Sequence, residues 1–296
     1  MDELLVLDDG IARVEIHPSM GGSVGRYDYV SHGAVIPVFD VSPNAGRTDA
    51  FALGCQVMIP FANRISGGGF WHDGQFHPLA PNNPSDQYPN HGNGFQSAWV
   101  VEEHTPGSAT LALKSEGPGP FRYDAQLTYT LRAGALSMRL IVTNRADISL
   151  PYGVGFHPWF TRTPRATLTF SADGCWTEHR DHLPDSFLPL DGPAAFDFRQ
   201  TSALPERWIN MAFTGWDQAA RLDWPEHALG VTLTACTPLS TLMVYSPSNE
   251  SSAVCIEPVS HSVDAHNRTE PGTAPPQVLA PGQTLTASAT ITPQPI

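Results

Sequence analysis

The sequence predicts an all-β protein, built as one large antiparallel sandwich. Three observations carry this. Proline and glycine are abundant, 28 and 25 of the 296 residues, and they punctuate the chain at short intervals. Between them run short stretches of alternating or continuous apolar residues, and no convincing amphipathic helix is found. From residue 98 to 143 these stretches recur roughly every 10–13 residues, the interval expected of strands joined by turns. No change of composition marks a boundary, so residues 1–296 are read as a single domain. A hydrophobic content of 41% supplies a large core with no need of disulfide or metal.

The chain opens with a hairpin over Leu4 to Ile16, turning at Asp8-Asp9-Gly10. A glycine-rich turn then enters a strand at Gly25 to Val30. Residues 21 to 25, Gly-Gly-Ser-Val-Gly, match the G-x-S-x-G pattern of hydrolase nucleophiles. That motif requires a helix after the serine. The alternating Arg26-Tyr27-Asp28-Tyr29-Val30 predicts a strand there, so the match is set aside. A polar loop (Pro43 to Asp49) leads to a strand at Cys55 to Pro60, with Arg64 at its end. A glycine turn and one strand through Phe76 follow. Pro81 to Gly94 is a long Asn/Pro/Gly loop carrying His91. Strands are expected at Ala98 to Glu103, Ala109 to Ser115, Tyr123 to Leu131 and Leu136 to Thr143. Further strands are expected at Ala166 to Phe170, Ala219 to Trp224, Val231 to Ala235, Leu239 to Tyr245, Ala253 to Pro258 and Gln277 to Thr292. Asp181 to Pro205 reads as a proline- and acid-rich connection.

Composition narrows the partners. Net charge is −13, and Lys114 is the single lysine. Such a surface repels nucleic acid and anionic membrane, and it does not invite a strongly anionic substrate. A neutral, polyhydroxylated small molecule fits better. Cys55, Cys175, Cys236 and Cys255 form no C-x-x-C pair, and Cys55 and Cys255 lie in apolar runs as small core residues do. The acidic start, Met1-Asp2-Glu3, is unlike a secretory signal, and no apolar run approaches membrane-spanning length. A soluble protein of a reducing, cytoplasmic compartment is expected. Oligomeric state is not legible.

Chemistry concentrates in Pro151-Tyr152-Gly153-Val154-Gly155-Phe156-His157-Pro158-Trp159-Phe160. Pro158 biases His157 towards an extended backbone, presenting its ring from a strand end. Phe156, Trp159 and Phe160 supply apolar walls, and Trp159 offers a flat face to a sugar ring. A lone histidine among apolar residues is more often a satisfied core residue, but the glycine and proline punctuation favours a site. Glu257, closing the run Ala253 to Pro258, is either a paired structural carboxylate or an acid/base of raised pKa. Arg64 is either a surface ion-pair partner or a fixed fork for hydroxyl and ring oxygens. His91 is an exposed loop histidine or a site residue carried on a loop. Among 12 histidines there is no H-E-x-x-H and no H-x-H, and His261 and His266 lie off one helical face. No metal is expected. With no P-loop, dinucleotide fingerprint or cofactor-lysine pattern, no cofactor is expected either. Proton transfer between a histidine and a glutamate remains.

The set Asn63-Arg64-Ile65 with its glycine turn and Phe70, His91-Gly92, Gly155 to Phe160, Phe213-Thr214-Gly215-Trp216-Asp217 and Glu257-Pro258 resembles the aldose 1-epimerases (galactose mutarotases). The likeness runs in order from about Gly21 to Leu285. It implies a β-supersandwich and cofactor-free interconversion of the α and β anomers of an aldose. By that likeness His157 is the general acid on the ring oxygen, Glu257 is the general base on the C1 hydroxyl, and Arg64 and His91 hold sugar oxygens. Many members carry a sugar-binding aspartate three residues before the phenylalanine of the Phe-Thr-Gly-Trp run, where this chain has Asn210. Asn210 is therefore a binding residue of altered charge, and Trp159 stands where tyrosine is common. Both bear on which sugar is preferred. The alternatives are a hexose-6-phosphate epimerase, which would need cations such as Arg26, Arg162 and Arg165 to converge, and a non-catalytic sugar-binding protein on the same scaffold. A lyase or isomerase acting on an acidic sugar would again need more positive charge.

Overall fold

The computed structural model describes residues 4–31, 33–42, 46–84, 86–190, 196–248 and 250–296. Among them are two large sheets of eleven and nine strands, and every named strand pair is antiparallel. In the larger sheet the strands run in the spatial order 5–8, 12–17, 23–31, 55–58, 155–161, 253–259, 241–246, 209–214, 174–178 and 184–189, with 34–37 hanging on 23–31. The smaller sheet runs 202–203, 167–170, 219–224, 229–235, 284–295, 135–144, 123–132, 108–115 and 100–105. The helical elements described are short 3-10 turns.

Alternation decides which face is buried. Tyr123–Arg132 buries Tyr123, Ala125, Leu127, Tyr129 and Leu131, while Ala135–Asn144 buries Leu136, Met138, Leu140 and Val142. Successive side chains of a strand point to opposite faces, so one register places all of them inwards. They join Leu7, Val14, Val24, Val57, Phe156, Val244 and Ile256 of the larger sheet in one continuous core. Each full burial of such a side chain contributes about 1.5–3 kcal/mol.

The middle of the larger sheet departs from this pattern. Every residue of Cys55–Met58, Gly155–Thr161 and Ala253–Val259 is buried. One face of these strands packs on the core through Val57, Phe156, Phe160, Val254 and Ile256. The other face is covered too, and it carries the polar residues His157 and Glu257.

Several expectations are corrected. His157 sits inside the strand Gly155–Thr161, not at its end. Pro158 enforces extended backbone as expected, but the strand continues past it. Its pairing with Ala253–Val259 is made at Gly155↔Val259 and from Trp159↔Cys255 onwards. Pro158 and Pro258, which lack an N–H, fall in the gap between. The strand expected through Phe76 is a hairpin, Gly69–His72 with Gln75–Pro78. Asp73 and Gly74 both take positive φ, as a two-residue turn of this kind requires. The connection from Asp181 to Pro205 contains the edge strand Pro184–Pro189 and the short strand Ser202–Ala203. Prolines at both ends of the former are tolerated because an edge leaves N–H groups unpaired. The final stretch divides at Pro281-Gly282 into Gln277–Leu279, paired with Leu150–Tyr152, and Thr284–Pro295 in the smaller sheet. Ser23 begins a strand, in keeping with setting the hydrolase pattern aside. All four cysteines are free, and Cys55 and Cys255 are buried.

Candidate active site

Strand register assembles the site. Gly155↔Val259 and Trp159↔Cys255 bracket position 157, placing it directly across from 257. Met243 pairs with Glu257, Ala212 with Met243, and Trp176 with Ala212. The neighbouring rung on the same face runs Trp159, Cys255, Tyr245 and Asn210. Side chains two apart share a face, so the two rungs form one floor. Above it opens a cleft of about 340 Å³, lined among others by Arg64, His91, His157, Trp159, Asn210 and Glu257. This volume lies at the small end of the ~300–1,000 Å³ typical of small-molecule sites. All six residues singled out in the sequence meet there.

His157 Nε2 lies 3.4 Å from Glu257 Oε1, with both side chains almost wholly buried. Burial disfavours charge on each. The His157 pKa falls to about 4, and that of Glu257 rises to about 8, with the Arg64 charge pulling against the rise. Between those values the pair holds one proton. The Trp159 indole stacks on the imidazole, centroids 5.4 Å apart and planes 18° from parallel. Tyr245 meets Trp159 edge-on, and Trp208 meets Tyr245 edge-on, extending an aromatic wall. Across the strands His157 also faces Gln56, whose amide nitrogen donates to the carbonyls of Ala50 (2.8 Å) and Leu53 (2.6 Å).

His91 is delivered by the long loop. Asn82 Nδ2 donates to the carbonyls of Asn90 and Gly92, and Asn82 Oδ1 accepts from the Asn90 N–H. His91 N–H donates to the Asn63 carbonyl (3.1 Å), and Asn63 N–H donates to His91 Nδ1 (3.0 Å). With Nδ1 accepting, the proton is assigned to Nε2. Burial, then the neighbouring His157 and Arg64, hold the His91 pKa well below the ordinary value. His91 is thus a neutral Nε2–H donor, its ring centroid 5.3 Å from that of His157. Arg64 is not at a strand end. It follows Asn63, which has φ 57°, and it bridges to Asn90 in an isolated ladder step. Its N–H donates to Asn63 Oδ1 (3.0 Å), and its carbonyl accepts from Asp264 N–H (3.0 Å). These bonds set the direction in which the guanidinium enters the cleft.

Such an arrangement can protonate one oxygen and deprotonate another from two buried side chains at the floor of a small cleft. It also sets potential metal ligands close together, since donor atoms of His157, Cys255 and Glu257 lie within 4.8 Å of one another. Burial, and then the Glu257 charge, push the Cys255 thiol well above its ordinary pKa, so it is a poor source of thiolate.

A family model described as aldose 1-epimerase matches residues 4–292. The chain belongs to the aldose 1-epimerase family. It is 31% identical over 278 residues to the uncharacterised protein YphB of Escherichia coli K12, covering 90% of this chain and 94% of that protein. It is 27% identical over 224 residues to the uncharacterised YihR of the same organism, covering 72% and 71%. An E. coli K12 structure provisionally described as an aldose 1-epimerase matches with a TM-score of 0.89 at 27% identity over 100% of both chains. A GalM/aldose epimerase homologue from Caenorhabditis elegans shares the fold, with a TM-score of 0.82 at 16% identity over 100% of both chains.

As an aldose 1-epimerase family member, the chain also has cleft residues that the sequence did not single out: Phe51, Asp86, His182, Trp208 and Tyr245. Glu178 stands behind them, bonded to Asn210. Glu178 lies outside the strands read from the sequence, and its place beside Asn210 comes from the pairing of Gly174–Glu178 with Ile209–Thr214. His182 and Trp208 lie in connections whose path sequence periodicity does not encode. Arg26, Arg162 and Arg165 do not converge. Arg26 pairs with Asp28, Arg162 bonds Ser246 and the Pro205 carbonyl, and Arg165 pairs with Glu226. None of the three is among the residues lining the cleft. No helix among the described residues is long and apolar enough to cross a membrane.

Proposed function

We propose that the protein interconverts the α and β anomers of a free, uncharged aldose by general acid–base catalysis. The carrying observation is the opposition of His157 and Glu257, 3.4 Å apart, at the floor of one sugar-sized cleft. The acid delivers a proton to the ring oxygen while the base removes one from the C1 hydroxyl. The bond from C1 to the ring oxygen breaks, leaving an open-chain aldehyde. Rotation about C1–C2 exposes the other face of the carbonyl. Reclosure returns both protons to their donors.

Ring opening gives up one proton and takes another, so a pair holding a single proton suits it. Burial lowers the His157 pKa and raises that of Glu257, and so favours the proton on Glu257 and the neutral imidazole. The imidazolium–carboxylate form, in which His157 is acid and Glu257 base, differs by one transfer across the pair. The Arg64 charge favours it by stabilising the carboxylate. Arg64 and the His91 Nε2–H then hold sugar oxygens, and the Trp159–Tyr245 wall packs on the ring. General acid–base assistance is worth roughly 10²–10⁴-fold, and positioning adds to it.

Polarimetry on freshly dissolved α-glucose, α-galactose, arabinose and xylose tests the proposal. Faster decay of optical rotation with at least one sugar is expected. Decay at the buffer rate for every sugar would retire it. Acceleration confined to a phosphorylated sugar would favour the hexose-6-phosphate alternative.

A further inference from the structure

Glu178 ends the strand Gly174–Glu178, two residues beyond the last pair with Ile209–Thr214, Trp176↔Ala212, and its side chain bonds that of Asn210. Its side chain is 14% exposed. One carboxyl oxygen accepts from Asn210 Nδ2 and His182 Nδ1, and the other accepts from Trp208 Nε1. Asn210, His182 and Trp208 all line the cleft, whereas Glu178 lines a small adjoining hollow with Asn63, Asn210 and Met243. Three side chains facing the ligand space are therefore anchored to one carboxylate that does not face it.

The anchoring fixes which atoms remain available. Asn210 spends an amide proton on Glu178, which turns its Oδ1 to other partners. An amide oxygen accepts, so what it recognises is a hydroxyl donor. Trp208, tethered by its indole N–H, meets Tyr245 edge-on at 5.2 Å and closes the aromatic wall. Asp86 lines the cleft together with Arg47 and Arg64, and the Glu178 carboxyl adjoins it, so the described residues offer no cluster of unopposed cations to an anionic ligand.

Building on the anomerase reading, we propose that Glu178 is the positioning residue of the sugar-recognition wall, orienting Asn210 and Trp208 to select an uncharged sugar through a hydroxyl that donates to Asn210 Oδ1. It acts through these neighbours and takes no part in proton transfer.

The test swaps the amide and the acid. Glu178→Gln, Asn210→Asp and the double variant are compared with wild type for KM and kcat by polarimetry, and for binding of D-glucose and D-galactose by tryptophan fluorescence and calorimetry. Each single change is expected to raise KM and Kd tenfold or more while kcat stays within threefold. Asn210→Asp sets two carboxylates together, and Glu178→Gln leaves one acceptor oxygen for three donors and turns an amide N–H towards them. The double variant restores a donor–acceptor pair with reversed roles and is expected to return KM to within threefold of wild type. KM within twofold of wild type in either single variant, or a double variant as impaired as the product of the singles, would overturn the proposal. The binding arm separates this inference from the function it builds on. A wild-type protein that binds sugar, loses binding in the single variants and regains it in the double, yet never accelerates mutarotation, overturns the anomerase reading and leaves the role of Glu178 standing.

Discussion

His157 and Glu257 face each other across adjacent antiparallel strands, one hundred positions apart in the chain and 3.4 Å apart in space. Directly opposed residues on one face of a sheet are the nearest neighbours that the fold can offer. Neither group needs a loop to bring it in, and both strands are buried at every residue. Position and dryness thus come from the same two strands.

Replacing His157 by Ala or Glu257 by Gln removes one half of the proton relay. A loss of roughly 10²–10⁴-fold in kcat is expected. Far-ultraviolet circular dichroism and the cooperative melt should remain those of a folded protein. Polarimetry on the sugar that wild type turns over fastest measures the loss.

In the proposed mechanism the singly protonated pair is the competent one. Lowering the pH through about 4 protonates both groups, and raising it through about 8 leaves both without a proton. The profile of kcat/KM, which reports the free enzyme, should therefore be a broad bell with limbs near those values. A rate that keeps climbing above pH 9 would contradict this.

In the proposed binding mode Arg64 contributes a bond to the sugar and a charge beside Glu257. Charge-assisted hydrogen bonds are worth about 1.5–3 kcal/mol, so Arg64→Gln should raise KM roughly tenfold to a hundredfold. Its charge restrains the Glu257 pKa from rising further. Removing it should move the alkaline limb upward. The KM series and the pH profile of the same variant check both statements.

Histidines whose pKa values are lowered by burial should make the fold sensitive to acid. Burial lowers the pKa of His157 and His261 to about 4 and that of His266 to about 3, and it holds His91 well below 6.5. The unfolded chain takes up these protons as pH falls through about 6.5, while the native protein does not. Their stabilisation is complete above that pH and is lost towards pH 4. Glu257 works the other way, because its raised pKa makes the native state the better proton binder from 4.5 to about 8. The histidines outnumber the glutamate, so stability should fall as the pH drops below about 6.5. Urea titrations at pH 7, 6 and 5 should show the midpoint falling accordingly.

Gly92 holds His91 in place. It has φ +67°, and a Cβ there would stand 1.9 Å from the Ile59 carbonyl oxygen. Gly92→Ala must displace the loop or strain the backbone, at about 1–3 kcal/mol. A lower melting temperature together with a raised KM is expected. Thermal denaturation and polarimetry measure the two effects.

Much of the fold was legible because strands bury alternate residues, and that period is written locally, as in Tyr123–Arg132. The misplaced elements show where local signals fail. Asp73-Gly74 is a turn only because both residues take positive φ. Pro184–Pro189 becomes a strand because an edge position was open to it. The candidate site was partly legible for a related reason. His157, Trp159 and Glu257 stand beside prolines that constrain the backbone, and Arg64 and His91 stand beside glycines and asparagines that permit unusual φ. Glu178, His182 and Trp208 carry no such punctuation, and only the pairing of Gly174–Glu178 with Ile209–Thr214 brings Glu178 and Asn210 together.

By itself the sequence determined the fold class, the family and the chemical types available for proton transfer, since these follow from local period, composition and motif order. Tertiary structure alone decided that residues 157 and 257 share a rung, that burial moves their pKa values apart, and that Glu178 bonds Asn210 beside the cleft. Register between strands distant in sequence, and the loss of water that shifts both pKa values, arise only once the sheets have closed on each other.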